Sequence, residues 1–247
     1  MQPEGSAAVQ DIRGIVFDKD GTLFDFHRTW AAFNARLIAD LAGGDTERAA
    51  ALAEALGFDL EEPRFLPDSP MIAGTIEVVI EAVARILPEL DEALVVRQVR
   101  DGSHAITPVE AVPLVPLLDG LIHQGLVLGV ATNDSEAPAR AHLASLGVLD
   151  RFAFVAGYDS GHGAKPAPGM LDAFCRATGL PPAACAMIGD SAHDLVSGRA
   201  AGMVTVGVLT GIAEEAELAP LADVVLADIG ALPGWLADRG REAPRRA

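Results

Sequence analysis

The fold of this chain is decided by the stretch Phe17-Asp18-Lys19-Asp20-Gly21-Thr22-Leu23-Phe24-Asp25. It continues the apolar run Gly14-Ile15-Val16-Phe17, which predicts a short buried strand. Two carboxylates, Asp18 and Asp20, stand at the carboxyl end of that strand, and Gly21 lets the backbone approach a ligand closely. Because residues two apart on a strand point the same way, we expect both carboxylates to face one bound group. Such a pair suits a hard cation and also the tasks of nucleophile and acid/base.

The composition limits the class of protein. The chain has 247 residues, half of them hydrophobic, and a formal net charge of −17. That length suits one domain with an insertion or two modest domains. The charge argues against nucleic acid or an anionic membrane surface as partner, because phosphate contacts need Lys and Arg. The two cysteines, Cys175 and Cys185, predict no disulfide framework and favour a cytoplasmic protein. We expect no membrane span, because no apolar stretch is long enough.

The order of patterns along the chain predicts the architecture. From Asp25 to Pro113 apolar residues recur at helical spacing, and beyond Leu114 short apolar runs alternate with helices. Such alternation produces parallel strands joined by helical crossovers. We therefore predict an α/β fold, with a Rossmann-like parallel-sheet core from residues 1–24 and 114–247 and an inserted all-helical cap domain, residues 25–113. The later core strands are predicted at Leu126–Ala131, Phe152–Ala156, Cys185–Ile188, Met203–Val208 and Asp223–Leu226.

Polar clusters follow three of the predicted strands directly. Asp18 and Asp20 follow the first, Thr132-Asn133-Asp134 follows the second, and Gly189-Asp190-Ser191-Ala192-His193-Asp194 follows a later one. The loop that carries Lys165 follows the predicted Phe152–Ala156 strand, so it arrives at the same edge of the sheet. Ligands bind outside the carboxyl ends of parallel strands, so we expect all these groups to meet there. This set of carboxylates, a hydroxyl and a lysine suits a divalent hard metal and a transferring phosphoryl group. The chain has no Walker loop and no zinc-type cluster.

On these motifs the chain resembles the haloacid dehalogenase-like (HAD) phosphohydrolases, especially their phosphoglycolate phosphatase-like members. The D-x-D-G-T-L motif matches Asp18 to Leu23, and the G-D-S-x-x-D motif matches Gly189 to Asp194. The strand-ending threonine matches Thr132 and the motif lysine matches Lys165. The resemblance covers essentially the whole chain, and it places the helical insertion as a cap of the first type, between the first and second motifs.

The resemblance implies a role for each motif residue. Asp18 would be the nucleophile that forms an aspartyl-phosphate, and Asp20 would protonate the leaving oxygen and then activate water. Mg²⁺ would be bound by Asp18, by the backbone carbonyl of Asp20, and by Asp190, with Asp194 helping directly or through water.

The phosphoryl oxygens would be held by Thr132 and Lys165. We place Gly21 and Asn133 beside the substrate, and we expect Arg64 of the cap to contact it. Lys19 points opposite to its neighbours by strand alternation, so it is interpreted as structural or solvated.

The prediction is a Mg²⁺-dependent phosphatase of small phosphorylated metabolites, a monomer or homodimer. One alternative is a phosphotransferase or mutase of the β-phosphoglucomutase type, which shares the roles of Asp18 and Asp20. Another is a HAD-like domain that binds without catalysis, which the intact catalytic motifs disfavour.

Overall fold

The computed structural model describes residues 11–66, 69–73, 76–104 and 106–242 of the chain. The described strands are β1 (Gly14–Phe17), β2 (Phe58–Asp59), β3 (Arg64–Phe65), β4 (Val127–Ala131), β5 (Phe154–Ala156), β6 (Cys185–Gly189), β7 (Val204–Val208) and β8 (Val224–Leu226). The described helices are α1 (Phe26–Ala42), α2 (Thr46–Ala55), α3 (Pro70–Ala73), α4 (Ile76–Ile86), α5 (Glu92–His104), α6 (Leu114–His123), α7 (Glu136–Ser145), α8 (Gly169–Thr178), α9 (Ala192–Ala201), α10 (Glu215–Leu218) and α11 (Leu232–Glu242).

These elements group into two compact units. The core unit contains the described residues up to Phe24 and those from Glu110 onward, and the helical unit is Asp25–Val109. The helical unit thus ends before residue 113, where the sequence analysis ended the insertion. The cause is local pairing, because Glu110 forms a bridge with Phe24 and the Ala111 N–H donates to the Leu23 carbonyl at 3.0 Å.

The core unit is built on a six-stranded sheet in the order β5-β4-β1-β6-β7-β8. Every neighbouring pair is parallel, and Phe17 of β1 is in register with Val130 of β4 and Ile188 of β6. β1 therefore lies inside the sheet, with the ends of β4 and β6 beside its own carboxyl end. The predicted α/β fold with a parallel sheet is confirmed.

Apolar side chains on both faces of the sheet explain why these short runs become central strands. Ile15 and Phe17 belong to one buried cluster and Val16 to another, as strand alternation requires. A strand that is buried on both faces reads as a continuous hydrophobic run, which is the pattern of β1.

The helical unit contains α1 to α5 and has its own buried apolar cluster. The strands among its described residues are β2 and β3, which form a two-stranded antiparallel sheet with Phe58 opposite Phe65. The sequence analysis predicted an all-helical insertion and missed this small sheet, because strands of two residues give no detectable alternation. None of the described helices combines the length and apolar character that crossing a membrane requires.

Candidate active site

Three buried carboxylates meet at the carboxyl edge of the sheet. Asp18 follows β1, Asp190 follows β6, and Asp194 lies in the first turn of α9. Each offers an oxygen that lies within 4.8 Å of the others. Asp194 also closes the start of its helix, since its Oδ2 accepts from the Ser191 N–H at 3.1 Å and from the Ser191 hydroxyl at 2.6 Å. The parallel topology therefore brings together residues that are far apart in sequence, as predicted.

One ammonium group joins this cluster. Lys165 Nζ donates to Asp18 Oδ1 at 2.6 Å and to Asp194 Oδ1 at 2.5 Å, and its side chain is buried. Asn133 fixes the backbone of the same lysine, because its Oδ1 accepts from the Lys165 N–H at 2.8 Å and its Nδ2 donates to the Lys165 carbonyl at 3.0 Å. Asn133, which we expected beside the substrate, thus uses its amide to hold the lysine loop.

Two glycines enclose the carboxylate of Asp190. Gly21 has a φ of +81°, and a Cβ added there would lie 2.3 Å from Asp190 Oδ2. A Cβ at Gly211 would lie 1.7 Å from the same oxygen. The Gly21 carbonyl in turn accepts from the Thr210 hydroxyl at 2.6 Å. The backbone at Gly21 therefore approaches the Asp190 carboxylate closely. The contribution of the Gly211 segment was missed, because its sequence carries no motif.

Thr132 and Asp20 occupy different positions around the cluster. Thr132 is buried directly after β4, and its hydroxyl accepts from the Asp134 N–H at 3.1 Å. The Asp20 carboxylate, in contrast, is bonded to Lys19, with 2.5 Å between Oδ2 and Nζ. Strand alternation does not apply here, because β1 ends at Phe17 and the chain turns at once. Lys19 was interpreted as structural or solvated, and the structure shows it fully buried.

Burial and like charge dominate the electrostatics of the cluster. Burial raises the pKa of Asp18 to about 7, against the lowering effect of Lys165, and the Asp194 carboxylate adds to the rise. Burial, followed by the charges of Asp194 and Asp18, raises the pKa of Asp190 well above its usual range. Burial alone would lower the pKa of Lys165, but its two carboxylate partners raise it above its ordinary value. The cluster therefore favours an added positive charge or proton.

The remaining predicted site residue, Arg64, lies in the helical unit. Its Nη2 is 3.5 Å from Asp59 Oδ2, and its Nε is 3.5 Å from Glu62 Oε2. It forms part of β3 and its side chain is about half exposed. Substrate binding by Arg64 stays a prediction.

Comparison with known proteins identifies the family. A family model described as haloacid dehalogenase-like hydrolase matches residues 12–202. The chain belongs to this family. The HAD-like enzyme is similar to phosphoglycolate phosphatase of Neisseria meningitidis, with 29% identity over 83% of this chain and 84% of the relative. It is also similar to the probable phosphatase IndB of Dickeya dadantii, with 30% identity over 87% of this chain and 88% of the relative.

Solved structures of other proteins share the fold. A HAD family hydrolase from Deinococcus radiodurans, determined with bound phosphate and sodium, has a TM-score of 0.69 at 20% identity, with 93% of this chain and 97% of that chain covered. A predicted phosphoglycolate phosphatase from Haemophilus somnus has a TM-score of 0.68 at 18% identity, with 93% and 99% covered. The predicted family, fold class and enzyme class are confirmed.

Proposed function

We propose that this HAD-like enzyme is a Mg²⁺-dependent phosphatase that hydrolyses a small phosphomonoester through an aspartyl-phosphate on Asp18. One observation carries the proposal. Asp18, at the end of an inner strand, shares a buried cluster with Asp190 and Asp194, and it accepts a 2.6 Å hydrogen bond from Lys165. A nucleophilic carboxylate next to a site for a divalent cation and beside a fixed ammonium is what phosphoryl transfer to an aspartate requires.

The residues fit Mg²⁺. When ionised, the three carboxylates and Lys165 carry a net charge of −2, from three negative charges and one positive charge. Their ligand atoms are all oxygens, which Mg²⁺ prefers. Burial, and after it the neighbouring carboxylates, raise the pKa values of Asp18 and Asp190, which supports a site where an added positive charge would stabilise the ionised carboxylates. Asp18, Asp190, Asp194 and the Asp20 carbonyl are proposed to hold the ion, which supplies positive charge to the phosphoryl oxygens when bound.

The chain's own residues divide the remaining work of the first half-reaction. An oxygen of Asp18 attacks phosphorus, the bond from phosphorus to the ester oxygen breaks, the phosphoryl group stays on Asp18, and the rest of the substrate leaves as an alcohol. Lys165 keeps the attacking carboxylate oriented and, with the Thr132 hydroxyl, offers hydrogen bonds to the phosphoryl oxygens. Asp20 gives the leaving oxygen its proton. Fixed donors and charges of this kind stabilise the charge that develops during transfer.

The second half-reaction restores the enzyme. Asp20, now ionised, takes a proton from a water molecule, whose oxygen attacks the phosphorus of the aspartyl-phosphate. The bond from phosphorus to Asp18 breaks and inorganic phosphate is released. The same residue thus acts as acid and then as base, and such help is typically worth about 10²–10⁴-fold in rate.

The relatives suggest the size and charge of the substrate. Several are named phosphoglycolate phosphatase, and they match most of their own length. We therefore propose a small anionic phosphomonoester of the phosphoglycolate kind as the substrate.

The test is phosphate release from a panel of small phosphorylated metabolites, an aryl phosphate and a phosphopeptide, each with Mg²⁺ and with a chelator. We expect the small substrates to be hydrolysed only with Mg²⁺, and Asp18→Asn to abolish turnover. Asp238→Asn, at an exposed carboxylate of α11, is the matched control and should keep full activity. Mg²⁺-independent release, or substantial activity of a folded Asp18→Asn variant, would contradict the proposal.

A further inference from the structure

Next to the carboxylate cluster lies a second buried ionic group, centred on Lys19. The Lys19 side chain has no exposed surface, yet its Nζ lies 2.5 Å from Asp20 Oδ2 and 3.2 Å from Asp134 Oδ2. His142 of α7 contributes Nδ1 at 3.4 Å, and the Phe24 ring centroid lies 5.6 Å away. The Asp20 and Asp134 carboxylates and the His142 ring are not members of the cluster of Asp18, Asp190 and Asp194, so these contacts of Lys19 do not neutralise that cluster.

The partners fix the direction of the ammonium. An ammonium has three hydrogens to donate and no lone pair to accept, so the contact with His142 requires an unprotonated Nδ1. Asp20, Asp134 and His142 thus provide an acceptor for each hydrogen. A long side chain that is buried and held by three partners has little conformational freedom. The Asp20 carboxylate that is hydrogen-bonded to it is restricted in the same way.

The partners also come from separate parts of the site. Asp20 is in the turn after β1, Asp134 is in the segment after β4, and His142 is on the helix that follows. The β4 segment carries Thr132, and its Asn133 holds the backbone of Lys165. Lys19 therefore ties the Asp20 carboxylate to the segment that positions the phosphate-binding groups.

We propose that Lys19 is a positioning residue, which holds the Asp20 carboxylate in place for its proton transfers. The inference rests on the proposed role of Asp20 and deepens it. Asp134 and His142 orient Lys19 in turn. Without the ammonium, Asp20 would turn among rotamers and spend less time within reach of the leaving oxygen, while Asp18 and Lys165 would keep their geometry.

The decisive variant is Lys19→Met, which keeps much of the side-chain length and removes the charge. We expect kcat/KM for an alkyl phosphate to fall by about 10- to 100-fold, a part of the whole acid/base effect. For an aryl phosphate with a good leaving group, the first step needs little acid. There kcat/KM should change less than about threefold, while kcat falls and aspartyl-phosphate accumulates, because the second step still needs the base.

Two further variants separate positioning from general damage. In an Asp20→Asn background, Lys19→Met should reduce activity by no more than about twofold, because residues that act through one another are non-additive. Arg151→Met is the matched control, since it removes a cation from a core-unit ion pair, where Nε lies 2.7 Å from Asp119 Oδ1. It should leave the ratio of alkyl to aryl kcat/KM unchanged.

Equal losses for the two substrates in Lys19→Met, or a full additional loss in the Asp20→Asn background, would overturn the inference. If Lys19→Met does not fold, Asp134→Asn is tested in its place. It should lower the ratio of alkyl to aryl kcat/KM by a smaller factor. An unchanged ratio in that variant would also overturn it. If the wild type releases no phosphate at all, the proposed function fails. In that case the inference is tested by comparing crystal structures of the wild type and of a folded Lys19 or Asp134 variant. An Asp20 carboxylate in the same position in both would contradict it.

Discussion

At the scale of single residues, the site depends on how closely backbone can approach the Asp190 carboxylate. Gly21 and Gly211 stand where any side chain would overlap it. Gly21 also has a positive φ, a conformation that costs an L-residue roughly 1–2 kcal/mol. A side chain at Gly21 would therefore have two separate costs, the backbone strain and the overlap with Asp190. The two costs can be distinguished, because a side chain at another glycine would have only the first.

Gly21→Ala should lose both stability and metal affinity, whereas Gly147→Ala should lose stability alone. Gly147 has a φ of +67°, and an added Cβ there meets nothing within 4 Å. We expect each variant to lose about 1–2 kcal/mol of unfolding free energy from the backbone. Only Gly21→Ala should raise the Mg²⁺ concentration that gives half-maximal activity, because its methyl group displaces Asp190. Equal Mg²⁺ titrations for the two variants would show that the approach to Asp190 is unimportant.

The same scale shows where sequence reasoning reaches its limit. Asp18, Asp190 and Lys165 were placed correctly at one edge, because strand ends and motif spacing carry that information. The burial of Lys19 was missed, because alternation was extended past Phe17 into a turn. Its partners Asp134 and His142 lie more than a hundred residues away in sequence, so local patterns carry no trace of the contact.

At the scale of elements, two segments share the work of placing Lys165. The stretch from the end of β4 to the first residue of α7 is joined to the segment between β5 and α8 by the Asn133 amide. It is also joined by Asp159, whose Oδ1 accepts from the Glu136 N–H at 2.8 Å. Only the Asn133 link contacts the lysine. The alternation of strands and helices predicted that these segments would meet, but the side chains that join them follow no spacing rule.

Asn133→Ala should therefore reduce activity, and Asp159→Ala should not. Loss of the two bonds to Lys165 frees its backbone, and a misplacement near 1 Å can lower the rate by about 10²-fold. We expect kcat/KM to fall by about 10- to 100-fold in Asn133→Ala. Asp159→Ala removes a bond between the same segments and should lose only about 0.5–1.5 kcal/mol of stability.

The stability of Asn133→Ala and Asp159→Ala is compared by denaturant unfolding, and their kcat/KM values by steady-state kinetics. Equal activity losses would mean that the rigidity of the paired segments matters, and not the hold on Lys165.

At the scale of the whole molecule, the chain is strongly acidic, and three of its carboxylates are buried together at the edge of the sheet. The net charge is −17, and two of the buried carboxylates have raised pKa values in the absence of a metal. A carboxyl group whose pKa is higher in the folded state binds its proton more tightly there than in the unfolded chain. Its contribution to stability is thus most favourable at low pH, and it is lost as the pH rises from the ordinary value of 3.8 through about 7 for Asp18.

The metal-free protein should therefore become less stable as the pH rises from about 5 to about 7.5, and Mg²⁺ should restore more stability at the upper end. The carboxyl groups of Asp59, Asp119 and Glu136 have lowered pKa values, so they act in the opposite sense, but at lower pH. Self-repulsion of the net charge acts in the same direction as Asp18. Asp18→Asn separates the two effects, because it removes one titrating group and hardly alters the total charge.

Thermal unfolding in chelator and in Mg²⁺, at several pH values, measures both dependences. We expect a shallower decline of stability with pH for Asp18→Asn than for the wild type, together with a smaller gain from Mg²⁺. A metal-free wild type whose stability stayed constant or rose over this range would show that the cluster carries no excess of negative charge. The electrostatic argument for a divalent cation would then lose its basis, even though the three carboxylates lie close together.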